Sequence, residues 1–266
     1  MKPASFIYAR PTDWSDALKL LAEGARPGAG TQSLGPLLNL RLAQPDTIAD
    51  LRHLPGYAGV AVDGGMVRIG AGTTHAAIED GAVPGRVGEI MAAVARGIAY
   101  RPVRNRGTIG GSLAHADPAA DWVAVLPALG ATAVALGPKG ERRIATAEFV
   151  TGIFETALAA DELLRFIEVP VQPAEARWGH WKFCRKVGDF SKATACVLKM
   201  PDNKPRAVLA ALDRPPLVIE DASALLVDPA AEATRSANAV GGLDPWRRAL
   251  AQVALRRAAE MAMAAS

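Results

Sequence analysis

The chain has 266 residues, half of them apolar, with 30 basic against 27 acidic side chains for a net charge of +3. That length suits one large domain or two to three small ones sharing a core. Its charges are spread without a polybasic run, and no apolar run approaches the ~20 residues that cross a bilayer, which argues against nucleic acid binding and membrane insertion.

In chain order, residues 12–24, "TDWSDALKLLAEG", read as a helix. Thr12 stands as N-cap, Asp13 and Asp16 favour the positive end, and Gly24 sits where a C-cap belongs. A glycine-punctuated loop, "ARPGAGTQSLGPLLNLRL", follows. Residues 66–72, "MVRIGAG", alternate like a strand, "THAAIED" is helical, and residues 86–99, "RVGEIMAAVARGIA", form a second helix. Beyond residue 120 come a short apolar helix and a hairpin turning at Gly137–Gly140. "DELLRFIEVPV" is a strand ended by Pro170, and "VPVQPAEARWG" marks a domain boundary. Past it, "HWKFCRKVGDFSKATACVLKM" and "RAVLAALDRPPLVI" suggest three antiparallel strands, and helices close the chain. The last helix starts at Asp244–Pro245, an N-cap and N1 pair, with Trp246, Leu250, Val253 and Met261 on one face. The pattern is α+β, with mixed α/β segments first and a sheet-plus-helices module last.

Two cysteines, Cys184 and Cys196, cannot hold an iron–sulfur cluster or a structural zinc by themselves, and they make no disulfide framework. That usage suits a reducing cytoplasm, and the N-terminal "MKPASFIYARPTDW" lacks the apolar core of a signal peptide. A cytoplasmic location is expected. The four histidines, His53, His75, His115 and His180, show no metal-ligand spacing. His115 and Asp117 could be a base and its orienter, but a structural polar contact is the better reading of so short a motif.

Two glycine clusters stand out, "PGAGTQSL" at 27–34 and "GTIGGSL" at 107–113. Without a Cβ, backbone N–H groups can approach a ligand and form a concave nest, and flanking hydroxyls add donors. A diphosphate suits such a nest. "GAGTQS" at 28–33 is preceded by a helix end instead of a buried strand, and "GAGTTH" at 70–75 lacks the third glycine. Both therefore fail as a Rossmann fingerprint. The residues argue for holding a phosphate-bearing cofactor, not for acid–base chemistry on a substrate.

"GTIGGSLAHADPAADW" strongly resembles the second flavin motif of the medium, FAD-binding subunit of molybdenum hydroxylases. This is the family of the carbon monoxide dehydrogenase medium chain and the xanthine dehydrogenase FAD domain. Segments such as "GAGTQSLGPLLNLRLAQPDTIADL", "RIGAGTTHAAIE" and "KFCRKVGDFSKA" follow in the family's order, so the resemblance covers nearly the whole chain. It implies two N-terminal α/β FAD-binding subdomains of the PCMH type, residues 1–57 and 58–173. A C-terminal domain, 174–266, would hold a three-stranded antiparallel sheet and a helical bundle.

The same resemblance implies non-covalently bound FAD. Pro27, Gly28, Ala29, Gly30, Thr31, Gln32, Ser33 and Leu34 would wrap its diphosphate, with Thr108, Ile109, Gly110, Gly111 and Ser112 as the second half of the cradle. Asp121 would hold the ribose or adenine end. Ile98, Leu164 and Lys182 match further flavin-contacting positions, and Phe190 falls where the family often places an aromatic near the isoalloxazine. No catalytic residue and no metal ligand are implied in this chain. Substrate oxidation would belong to a large molybdopterin-binding subunit, and a small [2Fe–2S] subunit would relay electrons to the FAD and on to an external acceptor, in a dimer of heterotrimers. Rival readings are a self-sufficient FAD-dependent oxidoreductase and an FAD-less assembly subunit. Two departures bear on them. Thr31 replaces a more usual glycine, and its Cβ calls for an ordinary φ. Ala99-Tyr100-Arg101-Pro102 replaces a Gly-Asp-Pro-Gln-like run.

Overall fold

The computed structural model describes residues 2–264. Its first unit runs β1 (Ile7–Ala9), α1 (Trp14–Ala22), β2 (Arg26–Gly28), α2 (Leu34–Asn39) and β3 (Thr47–Asp50). The three strands form a parallel sheet ordered β1-β3-β2, so each connection must cross over, which is the work of the two helices. The N-cap of α1 is Asp13 and not Thr12. The Asp13 carboxylate accepts the Asp16 N–H at 2.8 Å, while Asp16 reaches back to the Thr12 N–H at 3.3 Å. A carboxylate at that position also meets the positive end of the helix dipole, which threonine would not.

The second unit begins with β4 (Val60–Asp63) and β5 (Met66–Gly70). Five helices follow: α3 (His75–Glu79), α4 (Gly85–Arg96), α5 (Arg101–Arg104), α6 (Ile109–His115) and α7 (Asp121–Ala128). Then come β6 (Thr132–Gly137), β7 (Gly140–Ala145), α8 (Thr146–Phe149), the small hairpin β8 (Val150–Gly152) and β9 (Glu155–Thr156), and β10 (Leu163–Pro170). An antiparallel sheet forms in the order β4-β5-β10-β6-β7. The expected hairpin is present, with Gly137 paired to Gly140 and Gly140 at φ +101. α4 stops three residues short of the expected end because Gly97 caps it and Ala99 turns left-handed at φ +42.

The third unit holds β11 (Arg177–Phe183), β12 (Ala193–Lys199) and β13 (Arg206–Ala210), antiparallel as expected, with the short β14 (Leu217–Ile219) added at the edge. α9 (Ser223–Val227), α10 (Pro229–Ala239) and α11 (Pro245–Ala264) complete it. The face of α11 that packs on the sheet differs from the expected one. Its buried side chains are Ala251, Ala254, Leu255, Ala258, Ala259 and Ala262, whereas Trp246 and Met261 are exposed. Close approach explains this, since a Cβ on Gly179 of β11 would lie 2.0 Å from the Ala258 carbonyl oxygen. Only small residues fit between backbones that near.

A single apolar core joins the first two units and reaches into β12 and β13, while a separate core lies under α11. Among the described residues, no helix is long and apolar enough to cross a membrane.

Candidate functional site

A cleft of about 650 Å³ opens where the first two units meet the β11–β12 loop. Most of the residues expected to hold the cofactor line it. Gly28 and Ile109 do not. Gly28 packs on β3, where a Cβ would touch Ile48 at 3.0 Å, and Ile109 is fully buried in the core.

The loop at 27–34 leaves the end of β2 and enters α2. Among the described residues, the N–H groups of Gly30, Thr31, Gln32 and Ser33 meet no protein acceptor. Ser33 is the N-cap of α2, yet its hydroxyl makes no capping bond. The expectation that Thr31 keeps an ordinary φ is overturned, because it sits left-handed at φ +57. Its carbonyl accepts the Gly35 N–H at 2.8 Å, which locks the turn into α2. The chain tolerates a conformation that costs a β-substituted residue ~1–2 kcal/mol. The loop thereby keeps the shape a glycine would give it.

The second cluster sits at the start of α6 and is wired differently. Ile109 N–H donates to the Thr73 carbonyl at 3.0 Å and Gly110 N–H to the Ala71 carbonyl at 2.9 Å. Gly111 N–H is taken by the Thr108 hydroxyl at 3.1 Å. The glycines here permit contact between backbones: a Cβ on Gly110 would fall 2.4 Å from the Ala71 Cβ. The two clusters meet directly. A Cβ on Gly30 would lie 1.9 Å from the Arg106 carbonyl oxygen and 2.8 Å from the Gly107 Cα.

At another part of the cleft, Asp121 begins α7 and Lys182 projects from β11. The Lys182 ammonium donates to the Gly97 carbonyl at 2.8 Å and to Asp121 Oδ2 at 2.9 Å. It also lies 2.9 Å from Asp121 Oδ1, but that buried oxygen receives no directed hydrogen bond. The two distances describe one ammonium straddling the carboxylate, with its hydrogen bond directed at Oδ2. His180 Nε2 stands 3.5 Å from the same oxygen, and burial pushes the His180 imidazole below its usual pKa, against the pull of Asp121.

Ile98 and Leu164 supply apolar wall. A register shift in β10 between Leu164 and Phe166 takes Arg165 out of the ladder, and the Arg165 carbonyl accepts the Ala71 N–H at 3.0 Å. The Ile98 segment is held by Arg104, buried at 8% exposure, which donates to the Ile98 and Ala99 carbonyls at 2.9 and 3.3 Å. Arg104 also grips Glu79 of α3 through two bonds of 2.7 and 3.0 Å. That hydrogen bonding holds the Glu79 carboxyl below the usual range.

The structural roles of Arg104 and Tyr100 escaped the sequence reading. The Tyr100 hydroxyl donates to the Val187 carbonyl at 2.8 Å, and its ring lies under Gly188, which has φ +81. Tyr100 thus pins the β11–β12 loop that carries Phe190 to the mouth of the cleft. The three arginines and the tyrosine in "YRPVRNR" were visible signals, but nothing local said where they point. His115 lines the cleft half-buried, 5.0 Å from the Phe154 ring, and burial lowers its pKa. Asp117 caps the Ala119 N–H at 2.9 Å and makes no hydrogen bond to His115, so the pair is not built as a base with its orienter.

Comparison with known proteins places this geometry. The family described as the FAD binding domain in molybdopterin dehydrogenase matches residues 4–172. The carbon monoxide dehydrogenase medium chain of Afipia carboxidovorans is 37% identical over 99% of both chains. The nicotine 6-hydroxylase medium subunit of Paenarthrobacter nicotinovorans is 39% identical over 77% of this chain and 72% of its own length. A chain of the crystal structure of Cu,Mo-CO dehydrogenase superposes with a TM-score of 0.91 at 34% identity, covering 99% of each. One from quinoline 2-oxidoreductase of Pseudomonas putida 86 gives 0.84 at 29%, covering 98% of each. With the two glycine loops meeting at one cleft and likeness running the length of the chain, this protein belongs to the family of FAD-binding domains of molybdopterin dehydrogenases.

Proposed function

We propose that this chain is the electron-transfer subunit of a three-component molybdenum hydroxylase, passing electrons from the [2Fe–2S] clusters of a small partner subunit to an external acceptor. The observation that carries the reading is the unspent row of N–H groups from Gly30 to Ser33, facing a cleft with apolar walls. Relatives named as medium chains of dehydrogenases support a large and a small partner. The expected assembly is two copies of each chain. With only two cysteines in the sequence, the clusters must sit on a partner.

Bound FAD supplies the redox chemistry, which makes the protein's work binding, orientation and tuning. The Gly30–Ser33 amides and the Ser33 and Ser112 hydroxyls would hold the diphosphate, each bond to a charged acceptor contributing ~1.5–3 kcal/mol. The Asp121–Lys182 pair would take the adenosine end. Ile98 and Leu164 would keep water from the apolar part of the cleft, and Tyr100 would hold Phe190 over its mouth, beside the isoalloxazine. In functional terms the chain divides into residues 1–57 and 58–173 as two halves of the cradle and 174–266 as the unit that closes it.

The test is anaerobic mixing with candidate heterocycles, aldehydes or purines while following flavin absorbance. The chain alone should stay oxidised with every one of them, and bleach only when the large and small subunits are present. Bleaching of the isolated chain by one of these compounds would overturn the proposal.

A further inference from the structure

We propose that the Nε2–H of His75 is a side-chain donor to the diphosphate of bound FAD, an inference that rests on the cradle reading above. His75 opens α3 and is stapled to the second glycine cluster, its own N–H donating to the Gly107 carbonyl at 2.9 Å. The imidazole is almost wholly buried at 4% exposure, yet it lines the cleft. Fully buried Trp122 donates from Nε1 to His75 Nδ1 at 3.2 Å. An indole nitrogen can only donate, so Nδ1 must be bare and the ring proton must sit on Nε2.

That proton is unspent, because among the described residues Nε2 meets no acceptor. Nε2 is not one of the fully sealed side-chain atoms that lack a partner, so this donor opens onto the cleft, where it can find an acceptor. A Cβ on Gly107 would lie 2.9 Å from His75 Cδ2 and 3.1 Å from Nε2, so the imidazole edge rests against Gly107 itself. Gly107 is also what Gly30 touches. The Nε2 edge therefore reaches the seam where the two glycine loops meet, next to the free amides of the first. Burial, assisted by the nearby Arg104 guanidinium, pushes the His75 pKa down to about 4. The ring is thus a fixed donor at neutral pH, with the indole keeping it from flipping.

The experiment uses the full chain with 15N-labelled histidine. Spectra of the free protein should show one buried histidine with Nδ1 bare and Nε2 protonated, and saturation with FAD should move that N–H downfield. Replacing His75 with Leu should weaken FAD binding at least about tenfold, the loss of one bond to a charged acceptor, and should shift the bound diphosphate's 31P resonances. His75→Gln, which keeps a donor, should recover part of the affinity. A chain that saturates with FAD while the His75 signals stay put would overturn this inference alone. A chain that binds no FAD would overturn it together with the cradle.

Discussion

The two glycine clusters look alike in sequence and do opposite things. At 27–34 the chain crosses from a strand to a helix with four consecutive N–H groups left free and the Ser33 hydroxyl uncommitted. At 107–113 the N–H groups of Ile109, Gly110 and Gly111 are already used, two on the 71–73 backbone and one on Thr108. Removing a Cβ frees a backbone for whatever comes near, and that can be a ligand or another stretch of chain. On the proposed reading the first loop binds and the second holds the first in place, offering the cleft the Ser112 hydroxyl and, through Gly107, the imidazole of His75.

That contrast can be broken by substitution. Gly110→Val should cost the fold most, roughly 3 kcal/mol, because the new side chain drives into Ala71 and core overpacking is destabilising. Urea melts would show it without any flavin present. Acid should do nearly as much through His75. Its folded pKa of about 4 lies below the ordinary 6.5, so the unfolded chain binds more protons between those values. Stability from this group is complete above pH 6.5 and falls as pH drops toward 4, by up to about 3 kcal/mol. Comparing melts of the parent and His75→Gln at pH 7.5 and 4.5 isolates it, and their stability difference should shrink in acid.

Ser33→Ala tests the binding loop. Because the hydroxyl caps nothing, melting should be unchanged while FAD affinity falls about tenfold, one bond to a charged acceptor. The smallest effect is expected for Thr31→Gly. Relief of the left-handed strain, offset by the greater freedom of glycine in the unfolded chain, leaves a gain of at most about 1 kcal/mol. A loss of stability there would mean the Thr31 side chain has work that its surroundings do not show.

Local signals in the sequence were enough for α1, the Gly137–Gly140 hairpin, the strand ending at Pro170 and the two glycine loops, since each is set by neighbours within a few residues. They were not enough for the partners. Arg104 and Glu79, or Tyr100 and Val187, are 25 and 87 residues apart and come together only through the fold. The buried face of α11 was misjudged because large apolar residues suggest a core, whereas the helix approaches Gly179 of the sheet so closely that its buried face is alanine in all but Leu255. Thr31 was misjudged for a related reason: propensity favours an ordinary φ, and the turn into α2 overrides it.

The most direct test of the account is an equilibrium FAD titration of the full chain beside its Gly30→Val variant, followed by flavin fluorescence. Gly30 is where the loops touch, so a side chain there should pry the free amides from the seam. The parent should bind one FAD per chain, and the variant should bind ~100-fold more weakly, about two bonds to a charged acceptor. Equal affinity in the two proteins, or a folded parent that takes up no FAD, would contradict it.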